Sequence, residues 1–214
     1  MKINLFSETI GTSFLLLIVV GSGIMGENLT ENKAVVLLAN SITTAFGLIV
    51  LIWIFGSYSG AHFNPVVSIL MMLLGKLTKQ YTLFYVLCQI IGGVAGVVLA
   101  NIIFDLDIIS ISGNRRLTTG IFISEIIATF GLLLTILLVG KQKPEMVAVA
   151  VGLYIGAAYW FTSSTSFSNP AVTIARTLSD TFTGIVPSDV VPFIFAQLIG
   201  TFIVYFIYKY VYEQ

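Results

Sequence analysis

The dipeptide Asn-Pro occurs twice in this chain, at matched places in its two halves. The first copy lies in Ser59-Gly60-Ala61-His62-Phe63-Asn64-Pro65-Val66. The second lies in Ser163-Ser164-Thr165-Ser166-Phe167-Ser168-Asn169-Pro170-Ala171-Val172. Asn caps a helix, and Pro in the first turn lacks an N–H that would have no partner there, so each pair predicts a helix start. The apolar segments that follow, about 65–74 and 170–178, are too short to cross a bilayer. Six other stretches are long enough: about 5–25, 34–55, 81–104, 118–140, 145–161 and 188–211. Helix starts set among such stretches predict two half-helices that begin inside the hydrocarbon and aim their N-termini at a shared point.

Composition agrees with a lipid solvent. The chain is 57% hydrophobic and 9% charged, with mean hydropathy +1.01, more apolar surface than a water-soluble domain can bury. A formal net charge of zero argues against nucleic acid as a partner. Cys88, the one cysteine, has no metal-ligand spacing around it and reads as a small packing residue. No cofactor or metal site is expected. Lys2 and the apolar run after it have the look of a leader, but Glu8-Thr9-Ile10-Gly11-Thr12 returns as Glu125-Ile126-Ile127-Ala128-Thr129, so the run is read as the first span.

The landmarks recur in order: Glu8 with Glu125, Asn64-Pro65 with Asn169-Pro170, and Gln89 with Gln197. The fold class expected is an all-α membrane protein, one domain of two repeats, about 1–107 and 117–214. Each repeat has three spans and one re-entrant half-helix. Three is odd, so the second repeat must be inverted relative to the first, and one half-helix then enters from each face. Backbone at that depth is tolerable only where it is buried or lines water. Lys2, Lys76, Lys79, Lys141, Lys143 and Lys209 fall on one side and Lys33, Arg115, Arg116 and Arg176 on the other, which places both termini in the cytoplasm. Gly92, Gly93 and Gly96, and Gly152 with Gly156, predict close helix contacts. The 105–117 segment reads as a solvated outer connection.

These features predict a pore for uncharged molecules. A half-helix N-terminus carries about half a positive charge. At roughly 5 Å and an effective dielectric of about 20, each end repels a monovalent cation by about 1.7 kcal/mol. Dehydration of the ion adds a larger cost. Asn64 and Asn169 can donate hydrogen bonds to a passing molecule, and the carbonyls of Gly60, Ala61 and His62, and of Ser164, Thr165 and Ser166, can accept them.

Two Asn-Pro motifs in an inverted repeat, with Glu8 and Gly11-Thr12, Glu125 and Thr129, and Gln89 and Gly92, resemble the major intrinsic protein family of aquaporins and aquaglyceroporins. The resemblance implies a homotetramer in the lipid bilayer with a pore in each protomer. It gives Asn64, Pro65, Val66, Asn169, Pro170 and Ala171 as the pore motifs, and Glu8 and Glu125 as supports of the re-entrant loops. It puts the selective constriction at Thr44, Ala157, Ser166 and Val172. The family usually has Arg where Val172 stands, and water-selective relatives have bulky rings at the first two positions. Small residues there imply a wider constriction that suits solutes larger than water. Tyr159 and Trp160 adjoin Ala157. Arg176, one turn beyond Val172, either places its charge in the outer vestibule or pairs with Asp180. The string Asn169-Pro170-Ala171-Val172-Thr173-Ile174-Ala175-Arg176 is similar to a bacterial branch associated with arsenic resistance, which implies a bacterial plasma membrane and metalloid hydroxides such as arsenous acid among the solutes.

The functional expectation is a passive channel for small neutral polar solutes and water, not an enzyme, since no nucleophile, base and orienting group occur together. A water-selective pore is the alternative within the class. Outside it stands a proton-coupled transporter that uses Glu8 or Glu125, because intramembrane carboxylates are default functional candidates.

Overall fold

The computed structural model describes residues 2–212. Eight α-helices run along the described chain: α1 Lys2–Leu29, α2 Lys33–Ser59, α3 Pro65–Leu73, α4 Lys79–Ile103, α5 Thr119–Gln142, α6 Val147–Phe161, α7 Pro170–Ala175 and α8 Pro187–Ile207. Six long helical stretches are long and apolar enough to cross a membrane; α3 and α7 are the short ones. The second half-helix is shorter than expected: its α-helical part ends at Ala175, and a 3-10 turn, Arg176–Leu178, carries it on.

Caps explain where these helices start. Asn32 Oδ1 accepts from Ala34 N at 3.0 Å, and the hydroxyls of Thr78 and Thr118 accept from the first turns of α4 and α5. Asn64 and Asn169 cap α3 and α7 in the same way, each followed by Pro at N1.

Glycines set the helix spacing. A Cβ on Gly92 would lie 2.2 Å from Thr9 O, and one on Gly96 2.1 Å from Ser13 O, so α4 lies directly on the backbone of α1. Gly200 brings α8 nearly as close to α5, where its Cβ would be 2.7 Å from Ile126 O, and Gly152 brings α6 onto α2. Small residues are what allow such approach between helices in lipid. The outer surface stays apolar: Trp53, Ile91, Leu153 and Phe206 are all more than half exposed.

The segment between α4 and α5 departs from the expected solvated connection. It folds back over the end of the bundle where α7 stops: Ser110 N donates to Leu178 O, Ser112 N to Thr177 O, and Asn114 O accepts from Val186 N. Ser112 is buried. Unpaired backbone after α7 supplies the partners that water would otherwise have given.

Candidate functional site

Each half-helix is held by a buried carboxylate. Glu8 Oε1 accepts from Ser59 Oγ at 2.6 Å and His62 N at 3.0 Å, and Oε2 from Phe63 N and Gln89 Nε2, both at 2.7 Å. Glu125 accepts from Phe167 N and Ser168 N, both at 2.9 Å, and from Gln197 Nε2 at 2.7 Å. The second amide bond of each glutamine goes to the half-helix itself, to Ser68 Oγ and Thr173 Oγ1, both at 3.0 Å. The same arrangement of two loop N–H groups, a glutamine amide and a half-helix hydroxyl occurs twice, and Glu8 accepts from the Ser59 hydroxyl besides. Neither carboxylate lines the cavity described below.

With the loops so held, the two asparagines face each other. Asn64 Nδ2 donates to Ser168 O at 2.8 Å and Asn169 Nδ2 to Phe63 O at 2.9 Å. Each Oδ1 accepts from its own helix start: Val66 N for Asn64, Ala171 N and Val172 N for Asn169. Each amide nitrogen has two hydrogens, so one stays available beside the cavity.

The loops hold themselves in left-handed backbone at matched positions. Gly60, Ala61 and Phe63 have φ of 83°, 48° and 47°, and Thr165, Ser166 and Ser168 have 60°, 51° and 46°. Left-handed φ costs a residue with a Cβ about 1–2 kcal/mol, and Thr165 is β-branched where the first loop has glycine. Thr165→Gly is therefore expected to stabilise the fold by about 0.5–1 kcal/mol, net of the entropy glycine adds to the unfolded chain. The measurement is the thermal unfolding midpoint in detergent; a lower midpoint refutes the strain argument.

One cavity of about 310 Å³ passes both asparagines. Leu15, Val19, Leu48, Leu132, Val151 and Ile155 make an apolar wall. Gly60, Ala61, His62 and Phe63 of the first loop and Ser166 and Phe167 of the second make the other wall, while Ser164 and Thr165 do not line it. Ser164 Oγ instead accepts from Ser166 N. His62 Nδ1 lies 3.0 Å from Ser68 Oγ.

At the expected constriction, Thr44, Ser166 and Val172 line the cavity and Ala157 does not. Ala157 is exposed on the outer face of α6, and Tyr159 takes the place expected for it, its hydroxyl 3.3 Å from Thr44 Oγ1. Two residues along a helix turn a side chain by about 200°, so a count two residues out selects the opposite face. Buried Val151, Gly152, Ile155, Ala158 and Tyr159 recur at helical spacing and mark the correct face. Trp160, next to it, is half exposed and donates to Ser41 Oγ.

Arg176 lines the cavity, 97% removed from solvent. Its Nε donates to Thr183 O, and its guanidinium carbon lies 3.6 Å from the centre of the Phe167 ring. It does not pair with Asp180, which accepts from Gly113 N. A second guanidinium, that of Arg116, lies 5.3 Å from the same ring. Sequence reasoning left Arg116 as a loop charge; what singles it out is tertiary. Among the described residues no group of three or more His, Cys, Asp and Glu could hold a metal ion.

Comparison with known proteins places this geometry. The profile described as "Major intrinsic protein" matches residues 2–162. The aquaglyceroporin AqpS of Rhizobium meliloti (strain 1021) is 47% identical over 194 residues, 91% of this chain and 83% of that one. Aquaporin NIP1-2 of Arabidopsis thaliana is 31% identical over 70% of this chain, which spans 54% of that protein. The fold is similar to the X-ray structure of the aquaglyceroporin from Plasmodium falciparum, with TM-score 0.74 at 23% identity over 98% of this chain and 96% of that one. The profile match covers well over half of the sequence and a relative near half identical covers most of it: the chain belongs to the major intrinsic protein family.

Proposed function

We propose that the solutes of this pore include uncharged polyhydroxy molecules larger than water, glycerol-like compounds and metalloid hydroxides such as arsenous acid. The chain itself is an integral, multi-pass membrane channel for water and small neutral solutes, and not an enzyme. The supporting observation for the finer reading is the lining of the outer constriction. Thr44, Tyr159 and Ser166 offer hydroxyls, Val172 offers an apolar surface, and the guanidinium of Arg176 lies back against Phe167. Opposed apolar and hydrogen-bonding walls match a molecule with hydroxyls on one side and a non-polar body on the other. Arsenous acid and glycerol have that character; an ion has not.

The protomers assemble as a homotetramer in the lipid bilayer, with both termini in the cytoplasm of a bacterial-type plasma membrane. The lysine bias and the apolar outer surface support this arrangement. Each protomer works as one domain of two inverted repeats. The Asn64 and Asn169 amides and the carbonyls of the two loops hand the solute along. The cavity passes Glu8 and Glu125 by, which favours a passive pore over a proton-coupled transporter.

Stopped-flow swelling of proteoliposomes with water, urea, glycerol and arsenous acid tests the reading. Wild-type protein is expected to pass all four. Val172→Arg adds a guanidinium to the cavity lining and is expected to lower glycerol and arsenous acid flux about tenfold or more while sparing water. Unchanged large-solute flux in that variant overturns the assignment of the constriction.

A further inference from the structure

The two rings that flank the pore centre are related by the internal repeat, but only one has charged side chains lying over it. His62 meets Tyr85 edge-on, with centroids 5.3 Å apart and planes at 68°. Phe167 meets Phe193 at 5.2 Å and 68°. The inner ring can hydrogen-bond, and it does so with Ser68. The outer ring is a bare phenyl, and both arginines of the outer mouth lie over it.

Those arginines arrive on two separate segments. Arg176 follows α7, and Arg116 arrives on the folded-back segment between α4 and α5. Arg116 is clamped: Nε donates to Gly184 O at 2.6 Å and an amino nitrogen to Phe182 O at 2.7 Å. The carboxylate beneath it, Asp189, accepts from the backbone N–H groups of Arg116 and Leu117 rather than from a guanidinium. Among the described residues neither arginine forms an ion pair, and the amino groups of Arg176 have no hydrogen-bond partner. The Arg176 charge therefore faces the cavity directly, and that of the partly buried Arg116 lies behind it over the same ring. Burial holds the Arg116 guanidinium below its ordinary pKa, yet an arginine so displaced stays charged at neutral pH.

We infer that Arg116 is a selectivity-determining residue of the outer mouth, which with Arg176 forms a two-cation screen seated on Phe167 that keeps inorganic cations out. The inference rests on the channel reading. It accounts for a pore in which the cavity-lining Val172 brings no charge and whose outer half-helix has only six α-helical residues. Fields from two charges add, and low-dielectric walls focus them on the path. Arg116 does not line the cavity, so it acts on ions at a distance and touches no solute. Its charge also repels that of Arg176, which biases the Arg176 head toward the open side of the ring.

Proteoliposomes loaded with a sodium-sensitive dye test this, with glycerol swelling measured on the same samples. Arg116→Gln removes the charge and is expected to raise sodium leak about tenfold while glycerol flux stays within about threefold of wild type. Arg116→Lys keeps the charge but not the two-carbonyl clamp, and its leak is expected to stay at the wild-type level. Arg116→Gln with normal glycerol flux and no added leak overturns the screen. So does Arg116→Lys that leaks about tenfold, which would assign the effect to the clamp alone. Arg116→Leu, which also removes the charge and is expected to show the same leak of about tenfold, takes its place if Arg116→Gln does not fold. Wild-type protein that passes no glycerol would instead count against the channel reading, whatever the sodium result.

Discussion

Gly92→Leu is expected to leave little or no folded channel in the membrane. The reason is the atom it would meet. A Cβ at Gly92 stands 2.2 Å from Thr9 O and 3.0 Å from Thr9 C, both backbone atoms of α1. A side chain can rotate away from such a contact; a carbonyl inside a helix cannot without breaking the helix. The two helices must then part by more than about 1 Å, since ordinary carbon–oxygen contact lies well above 3 Å. Separation is costly here because α1 carries Glu8 and α4 carries Gln89, whose 2.7 Å bond spans the gap. Overpacking alone costs about 1–3 kcal/mol. With a buried polar network broken as well, the loss is expected to reach about 4 kcal/mol or more. Yield of monodisperse protein in detergent is the measurement, and Gly56→Ala is the control, because nothing lies within 4 Å of a Cβ at Gly56. Gly92→Leu recovered at the yield and melting midpoint of Gly56→Ala would refute the close contact.

The parts of the site that could be read from the chain are those fixed by local chemistry. Asn followed by Pro dictates a helix start wherever it stands, so Asn64 and Asn169 named themselves. The bundle of six spans followed from apolar run lengths alone. The glycine contacts followed from spacing: Gly92 and Gly96 are one turn apart and touch Thr9 and Ser13, also one turn apart. What could not be read depends on rotation about a helix axis or on where a loop lands. Ala157 for Tyr159 is an error of two residues and of half a turn, and the buried stripe in α6 would have corrected it. Arg116 is harder. Nothing local says that residues 108–116 fold inward to pair with Thr177 and Leu178. Arg176 could be placed only as far as its helix face. The choice between the cavity and Asp180 was made by a ring nine residues earlier, Phe167, whose face is free because Phe193 meets it edge-on.

Glu8 separates a channel from a coupled transporter more sharply than any solute panel. Four donors converge on its two oxygens: the Ser59 hydroxyl and His62 N on Oε1, Phe63 N and Gln89 Nε2 on Oε2. Glu8→Ala leaves all four without an acceptor in a site that is fully buried. A buried donor left unpaired costs about 1–3 kcal/mol, so even after relaxation the loss is expected to be about 5 kcal/mol or more. Glu8→Gln is the informative variant because it keeps the shape. Its amide retains one oxygen, and its NH2 must face one of the two donor pairs. The Ser59 hydroxyl can turn round to accept, and Gln89 can flip its own amide. His62 N and Phe63 N can do neither, so one backbone N–H is orphaned whichever way the amide sits. Glu8→Gln is therefore expected to lose about 2–3 kcal/mol, seen as a lower unfolding midpoint, with glycerol flux per folded protomer unchanged between pH 6 and 8 (roughly the range over which a coupling group would titrate). A transporter that used this carboxylate would show the same loss of stability but would also lose its pH-driven uptake, so the flux and not the midpoint separates the two. Glu125 has the same bracket built from Phe167 N, Ser168 N and Gln197 Nε2, so Glu125→Gln should repeat the result. If one of the two variants lost pH-dependent uptake while the other lost only stability, the two brackets would not be equivalent supports, and the passive reading would fail at that carboxylate.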